Sequence, residues 1–263
     1  WVYWEEIFGR QDIGYWWSDD SKALAFLQTD ESSVTKMHYV HWKPAEPKLI
    51  TQRYPKAGTE NPKVRLGVIE LNNPKVKWIK LEPFEYLCRV KWLPGNRRLS
   101  IQTMNRAQDK LDLYFVDRAT GKNIKKIITE TDEGWVNIND DLYFLDNSFI
   151  WQSERDGYAH LYQFNYNGKL INQITDGSWA LRSSGGPFWL RQSVVNIDEK
   201  EEEIYFTSLK ESSIERHLYR SSIDGSNMEK ISDQKGVHKI NFSNNGNFYL
   251  DIHSDAASPP SLV

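Results

Sequence analysis

The sequence has little cysteine, no marked charge imbalance and no long apolar run, and each lack closes a class of explanation. One cysteine, Cys88, stands among 263 residues. It excludes an internal disulfide framework and has no companions for a zinc cluster, so it reads as a small buried hydrophobe. It leaves the compartment open, because exported proteins can lack disulfides. No run of about 18 apolar residues offers a membrane-spanning helix. Lys and Arg number 33 against 36 Asp and Glu, for a net charge of −3. That balance argues against a basic nucleic-acid stripe and against an acidic arm. The longest acidic run, Glu199 to Glu203 with Lys200 inside it, reads as a solvated turn. Helix signals are also scarce: no stretch keeps a 3.6-residue apolar period between a cap and a terminal glycine.

Aromatic residues, in contrast, are abundant. They make up 13% of the chain, with 11 Trp and 13 Tyr, and side chains of this kind fit a pleated, half-buried surface. Short apolar strands recur. One series reads Ala23–Phe26, Arg98–Ile101, Ser148–Trp151, Glu203–Phe206 and Asn247–Leu250. A second follows it at Leu66–Ile69, Asp112–Phe115, His160–Gln163 and His217–Arg220. Its members run into the turns Asn72-Asn73-Pro74, Ala119–Lys122, Tyr166–Lys169 and Ile223–Ser226, and a third strand such as Ile171–Ile174 closes the unit. Tyr114 to Tyr162 is 48 residues and Tyr162 to Tyr219 is 57; Phe149 to Ile204 is 55 and Ile204 to Phe248 is 44. Three or four strands per repeat of about 40–50 residues is the signature of a propeller blade. The expected fold is therefore all-β: a β-propeller of about five blades, each a four-stranded antiparallel sheet. It spans residues 1–253 and is followed by an exit linker at 254–263, which holds Pro259-Pro260. A long insert between Thr29 and Val64 breaks the rhythm with Pro44, Pro47, Pro55 and Pro62, and long loops on a rigid scaffold tend to carry function. The chain starts abruptly at Trp1-Val2-Tyr3-Trp4, which reads as a piece of a longer protein.

Catalytic and cofactor signatures are mostly missing from the sequence. No Gly-x-Ser-x-Gly nucleophile elbow is present, and Ser183-Ser184-Gly185-Gly186 has the wrong spacing and reads as a flexible loop. His38 and His41 lack a carboxylate at a helical step. His160 and His217 occupy equivalent repeat positions, which suggests a structural role. No metal and no cofactor are expected, since phosphate-cradling and dinucleotide motifs are missing as well. One constellation stands out. Glu5 and Glu6 follow the aromatic residues Trp1, Tyr3 and Trp4. Placed on a turn or short helix, two such carboxylates hold an ammonium group by charge-assisted hydrogen bonds; in extended chain they are simply exposed acids.

Four segments carry a resemblance. Trp1-Val2-Tyr3-Trp4-Glu5-Glu6 is similar to the Asp-Trp-Val-Tyr-Glu-Glu-Glu motif of the dipeptidyl peptidase IV family. Arg53-Tyr54-Pro55-Lys56-Ala57-Gly58-Thr59-Glu60-Asn61-Pro62 resembles that family's Tyr-Pro-Lys-Ala-Gly-x-x-Asn-Pro loop. Asn105-Arg106-Ala107-Gln108 resembles its Asn-Arg-x-Gln strand end, and Ser153–Tyr162 its Ser-Glu-Arg-Asp-Gly-x-x-His-Leu-Tyr repeat. The matches run in order from residue 1 to about residue 179.

The resemblance implies an eight-bladed propeller, only part of which is present here, ahead of an α/β-hydrolase domain with a Ser-Asp-His triad. Glu5 and Glu6 would bind the free α-amine of a peptide substrate, making the parent protein a serine peptidase that removes N-terminal dipeptides, with Pro or Ala in second place. A substrate lacking that amine would leave two buried charges unpaired. The family also implies export to the periplasm or beyond and a homodimer of the full-length protein, with no nucleic acid as partner. The chain by itself, without the triad, should be inactive. Two departures matter. Trp4 replaces the first glutamate of the triplet, and Gly134-Trp135-Val136 continues as Asn137-Ile138-Asn139-Asp140, without the family's aromatic and arginine contacts. The alternative is a non-catalytic propeller that binds proteins or peptides.

Overall fold

The computed structural model describes residues 13–122, 124–138, 140–183 and 192–263. Among them the chain is all-β, with no α-helix and one 3-10 turn at Pro94–Asn96. In chain order, β1 (Tyr15–Trp17) and β2 (Ala23–Asp30) are followed by a separate hairpin of β3 (Lys36–His41) and β4 (Lys48–Arg53). β5 (Lys63–Glu70) and β6 (Asn73–Trp78) then complete a four-stranded sheet in the order β1-β2-β5-β6. The next three sheets are four-stranded, each with its strands side by side in chain order. They are β7 (Tyr86–Trp92), β8 (Arg98–Met104), β9 (Lys110–Asp117) and β10 (Lys125–Thr131); β11 (Leu142–Phe144), β12 (Ser148–Ser153), β13 (His160–Asn165) and β14 (Leu170–Gln173); and β15 (Val194–Asp198), β16 (Glu203–Ser208), β17 (His217–Ser222) and β18 (Glu229–Lys230). A three-stranded sheet of β19 (Val237–Phe242), β20 (Tyr249–Ser254) and β21 (Ser261–Leu262) ends the chain. Paired strands run antiparallel throughout these registers.

The repeating strands of the sequence are the second, third and fourth strands of these sheets. The first strands β1, β7, β11, β15 and β19 carry no comparable signal, and β1 and β11 are only 3 residues long. β20 begins at Tyr249, two residues after the start expected at Asn247. The insert after Thr29 is largely an in-register hairpin, from Lys36↔Arg53 to His41↔Lys48. Most side chains of β3 and β4 are exposed on both faces, so the alternation that betrays a half-buried strand is missing. Residues 254–263 also contain a strand: β21 pairs Leu262 with Ile252 and Ser261 with His253.

The chain divides into two compact units, Trp1–Thr129 with Glu133–Trp135, and Glu130–Asp132 with Val136–Val263. In the first, Ala23, Ala25, Leu66 and Val68 pack with Leu87, Val90, Leu99, Ile101 and Tyr114, so the core lies between the two sheets. β8 and β9 are buried on both faces, so polar side chains such as Ser100, Gln102 and Asp112 are buried beside the apolar ones. In the second, Ile150, Leu161 and Ile174 meet Val194, Ile204, Phe206 and Tyr219. Each such side chain contributes about 1.5–3 kcal/mol through its removal from water. The turn at Ile223–Ser226 is pressed against the neighbouring sheet: Asn172 Nδ2 donates to Ile223 O at 2.9 Å. Gly225 there has φ 90°, and a Cβ would lie 2.8 Å from Gln173 O, so a side chain is excluded twice over.

The equivalent histidines are structural, as their repeat positions suggested. His160 and Leu161 share one hydroxyl: Leu161 N donates to Thr175 Oγ1 at 3.0 Å, and His160 Nδ1 meets the same oxygen at 3.0 Å. His217, Leu218 and Ser232 repeat the arrangement at 2.9 and 3.1 Å. The hydroxyl thus ties the start of each third strand to the segment that leaves the fourth.

Candidate functional site

In a four-stranded antiparallel meander, the entry to the first strand and the turn from second to third lie at the same end of the sheet. Three of the four segments that carry the family resemblance use this end. Arg106 sits in the turn between β8 and β9, Glu154–Ala159 in the turn between β12 and β13, and the proline-rich loop leads into β5. Glu5 and Glu6 precede β1 in the chain but lie outside the described residues.

Within the first unit the structure brings two of the motif segments together through a residue the sequence did not mark. Asn61 Nδ2 donates to Glu85 Oε1 at 2.7 Å and to the Tyr86 hydroxyl at 3.1 Å. Arg106 Nη1 donates to the same Glu85 oxygen at 2.9 Å, and Nη2 to Thr59 O. Charge-assisted bonds of this kind are stronger than neutral ones, so Glu85 locks the proline loop to the Asn105-Arg106 turn. The loop is closed internally as well: Thr59 N donates to Lys56 O at 2.9 Å, and Lys56 N to Thr59 Oγ1 at 2.9 Å. Arg53, at its start, donates to Ser32 O and Val34 O at 2.9 and 2.8 Å, bracing the base of the β3–β4 hairpin. Beside this network lies a cleft of about 480 Å³, floored by Val64, Leu81 and Phe84 and rimmed by Glu82, Glu85 and Arg106. Three of its charges are already engaged: Glu85 pairs with Arg106, and Glu82 accepts from Lys126 Nζ at 2.6 Å, which holds the Glu82 carboxyl below its ordinary range. The cleft offers shape and hydrogen bonding but no nucleophile.

Cys88 and Asp141 are both buried outright. Cys88 is inert: burial pushes its thiol up to about 12, so it is not a thiolate nucleophile at neutral pH. Asp141, in the second unit, is shifted toward neutrality. Burial raises it to about 6 despite donors on both oxygens. Ser193 N and Ser193 Oγ donate to Oδ2 at 2.8 and 2.6 Å. Val194 N and the Tyr143 hydroxyl donate to Oδ1 at 3.2 and 3.0 Å. The same burial pushes Tyr143 up, so its phenol stays protonated. This knot fastens the start of β15 to the start of β11.

A line from Ser232 through His217 to Glu215 Oε2, 2.8 Å from His217 Nε2, has the atom types of a hydrolytic triad. Its chemistry is structural. Ser232 is buried, its oxygen already accepts Leu218 N–H, and Thr175 and His160 repeat the arrangement. His38, by contrast, is exposed and meets Thr51 Oγ1 at 2.9 Å. Among the described residues no cluster of His, Cys, Asp and Glu fits a metal ion, and no helix is long and apolar enough to cross a membrane.

The motif order, the sheet pattern and the Glu85-centred network converge with a direct comparison. The family model for the dipeptidyl peptidase IV N-terminal region matches residues 1–260. This chain belongs to that family. The family region thus includes Glu5, Glu6 and every motif segment named above. A probable dipeptidyl peptidase 4 of Emericella nidulans is 27% identical, over 98% of this chain and 35% of its own length. The dipeptidyl peptidase 4 of Trichophyton rubrum is 28% identical, over 95% of this chain and 33% of its own. The crystal structure of Porphyromonas gingivalis dipeptidyl peptidase 4 superposes with a TM-score of 0.87 at 28% identity, covering 100% of this chain and 36% of that one. The chain thus spans about a third of the length of these dipeptidyl peptidase relatives.

Proposed function

We propose that this chain is the substrate-gating β-propeller region of a serine-type dipeptidyl peptidase, its sheets being about five blades of that propeller. Glu5 and Glu6 bind the free α-amine of a peptide, and an α/β-hydrolase domain elsewhere in the same protein supplies the triad that cuts after the second residue, Pro or Ala. The single observation that carries this reading is the family match across residues 1–260, which takes in the Glu5-Glu6 segment. The physics agrees: two carboxylates reward a charged amine, and a blocked N-terminus leaves them desolvated and unpaired. The parent protein acts in the periplasm or outside the cell, and the chain alone is inactive. The β3–β4 hairpin and its flanks expose Tyr39, Trp42 and Leu49, which suits a surface covered by a second copy in a full-length homodimer; light scattering that returned a monomer mass would overturn that part.

The amine site is tested in the full-length protein with Glu5→Gln and Glu6→Gln. The expected result is a fall in kcat/KM on a dipeptidyl p-nitroanilide of about tenfold or more, the cost of one charged hydrogen bond or greater. Unchanged kcat/KM in both variants would remove these residues from the site. Absence of turnover by the folded wild-type protein would favour the non-catalytic, peptide-binding reading instead.

A further inference from the structure

Two arginines in the second unit stand without a counter-ion. Arg182 lies in the entry to β15, and Arg216 in the turn between β16 and β17. Both therefore sit at the end of their sheet that corresponds to the motif end of the β11–β14 sheet. Their backbones are fixed on either side of one row of residues. Leu181 bridges Ser208, and Ser208 pairs with His217. To one side of that row, Arg182 N donates to Thr207 O at 3.0 Å, and Thr207 Oγ1 donates to Arg182 O at 2.6 Å. To the other side, Arg216 N donates to Gly236 O at 2.9 Å, and Arg216 O accepts from His238 N at 2.9 Å. Two steps along a strand return to the same face, so the two arginine side chains leave from one face of the sheet.

Neither guanidinium meets an acid. Both residues are partly buried. Arg216 Nη1 reaches only backbone carbonyls, Glu215 O at 3.0 Å and Ser213 O at 3.5 Å. Among the described residues no carboxylate pairs with Arg182 or Arg216. The carboxylates of the same turn are engaged elsewhere: Glu215 Oε2 lies 2.8 Å from His217 Nε2, and Glu211 accepts from the Tyr219 hydroxyl at 2.8 Å. From Leu181 to Ser193 the sequence contains no Asp or Glu. The third cation of this end, Lys210, lies over the Trp179 and Tyr219 rings at 5.6 and 6.0 Å. Burial and the nearby Arg182 charge both disfavour the Arg216 cation and lower its pKa from the ordinary value. Two like charges partly withdrawn from water repel each other, and an anion placed between them relieves that repulsion.

We propose that Arg182 and Arg216 form a carboxylate-recognition site for peptides, in which both guanidiniums grip one carboxylate, either a peptide's C-terminus or an Asp or Glu side chain. A guanidinium presents its N–H donors as a planar fork that matches the two oxygens of a carboxylate. The partial burial of both arginines strengthens such bonds relative to open water. The choice of a peptide as ligand rests on the peptide-binding reading above; the unpaired cationic pair does not.

Calorimetric titration of the full-length protein at low salt tests the site with three N-acetylated hexapeptides of alanine and glycine. One ends in a free carboxylate, one is a C-terminal amide with a single Glu, and one is the same amide with Gln in place of Glu. Acetylation removes the free amine, so binding is read apart from Glu5, Glu6 and turnover, and a failure of the peptidase reading would show only in the p-nitroanilide assay. At least one carboxylate peptide should bind about tenfold or more tighter than the neutral one, as expected for charged hydrogen bonds, and which one does so identifies the source of the carboxylate. Arg182→Gln and Arg216→Gln should each remove most of that advantage. The Arg182 side chain braces nothing among the described residues, so Arg182→Gln decides the matter should Arg216→Gln not fold. Equal binding of all three peptides overturns the site, and so does an advantage that survives in Arg182→Gln. Binding of inorganic phosphate with no preference for either carboxylate peptide overturns it as well.

Discussion

The Arg118 guanidinium grips both carboxylate oxygens of Glu70, 48 residues earlier in the chain, with Nε–Oε1 at 3.0 Å and Nη2–Oε2 at 2.7 Å. Nη1 donates in addition to Asp20 and to Asn96 O at 3.2 Å, and the group lies 5.7 Å over the Trp92 ring. Only 11% of the Arg118 side chain and 15% of Glu70 is exposed. The pair lies at the opposite end of the sheets from Arg106 and Glu85, so the first unit is strapped at both ends. Arg118→Ala leaves the largely buried Glu70 with only Lys77 Nζ, 3.6 Å away, and is expected to destabilise this unit by about 1–3 kcal/mol. Urea unfolding followed by Trp fluorescence measures it, and a change under about 0.5 kcal/mol, the level of an ordinary surface site, would show the strap to be idle.

Asp141 gives the stability a pH dependence of unusual sign. Its folded-state value is raised, from 3.8 to about 6, so the native state holds this proton more tightly than the unfolded chain. The contribution is therefore full below pH 4 and lost as pH rises through 6, a cost of about 3 kcal/mol at neutrality. Asp141→Ala strands the Ser193 and Val194 N–H groups at every pH, and its penalty should be greatest near pH 4 and shrink toward pH 7. Denaturant titrations of both proteins from pH 4 to 7 read this directly. A penalty that grows with pH would mean that the carboxylate is stabilised as the anion.

The two hydroxyl clamps offer a matched pair. Ser232→Ala and Thr175→Val each leave a backbone N–H and a ring nitrogen without their shared oxygen, at an expected cost of about 1–3 kcal/mol. His160 keeps Gly177 O on its other nitrogen at 3.0 Å, as His217 keeps Glu215. The two costs should therefore be similar, and the two losses should add in the double variant, because the clamps are separate. Strong non-additivity by thermal unfolding would show that the sheets do not respond independently.

The repeat, the all-β class and the family were legible in the sequence because each rests on a local signal. Ile204-Tyr205-Phe206 and Leu218-Tyr219 show their strands through aromatic and β-branched content, and the Asp224-Gly225 turn shows itself through a glycine at positive φ. The ten-residue proline loop, which bears the clearest resemblance, is contiguous. Less legible were β1 and β11, too short to show a period, and the β3–β4 hairpin, exposed on both faces. Glu5 and Glu6 came from the resemblance, and their geometry lies outside the described residues.

Tertiary structure alone decided which polar groups meet. Glu85 lies in an unremarkable Phe-Glu-Tyr stretch, yet it joins Asn61 to Arg106. Asp141 finds its partners at Ser193 and Val194, 52 and 53 residues away. His217, His238 and His253 are scattered in the sequence and adjacent in space. The physical reason is the same each time. Strand period and turn chemistry are set by neighbours along the chain, whereas a buried carboxylate or imidazole answers to whatever the packing of separate sheets places within about 3 Å of it.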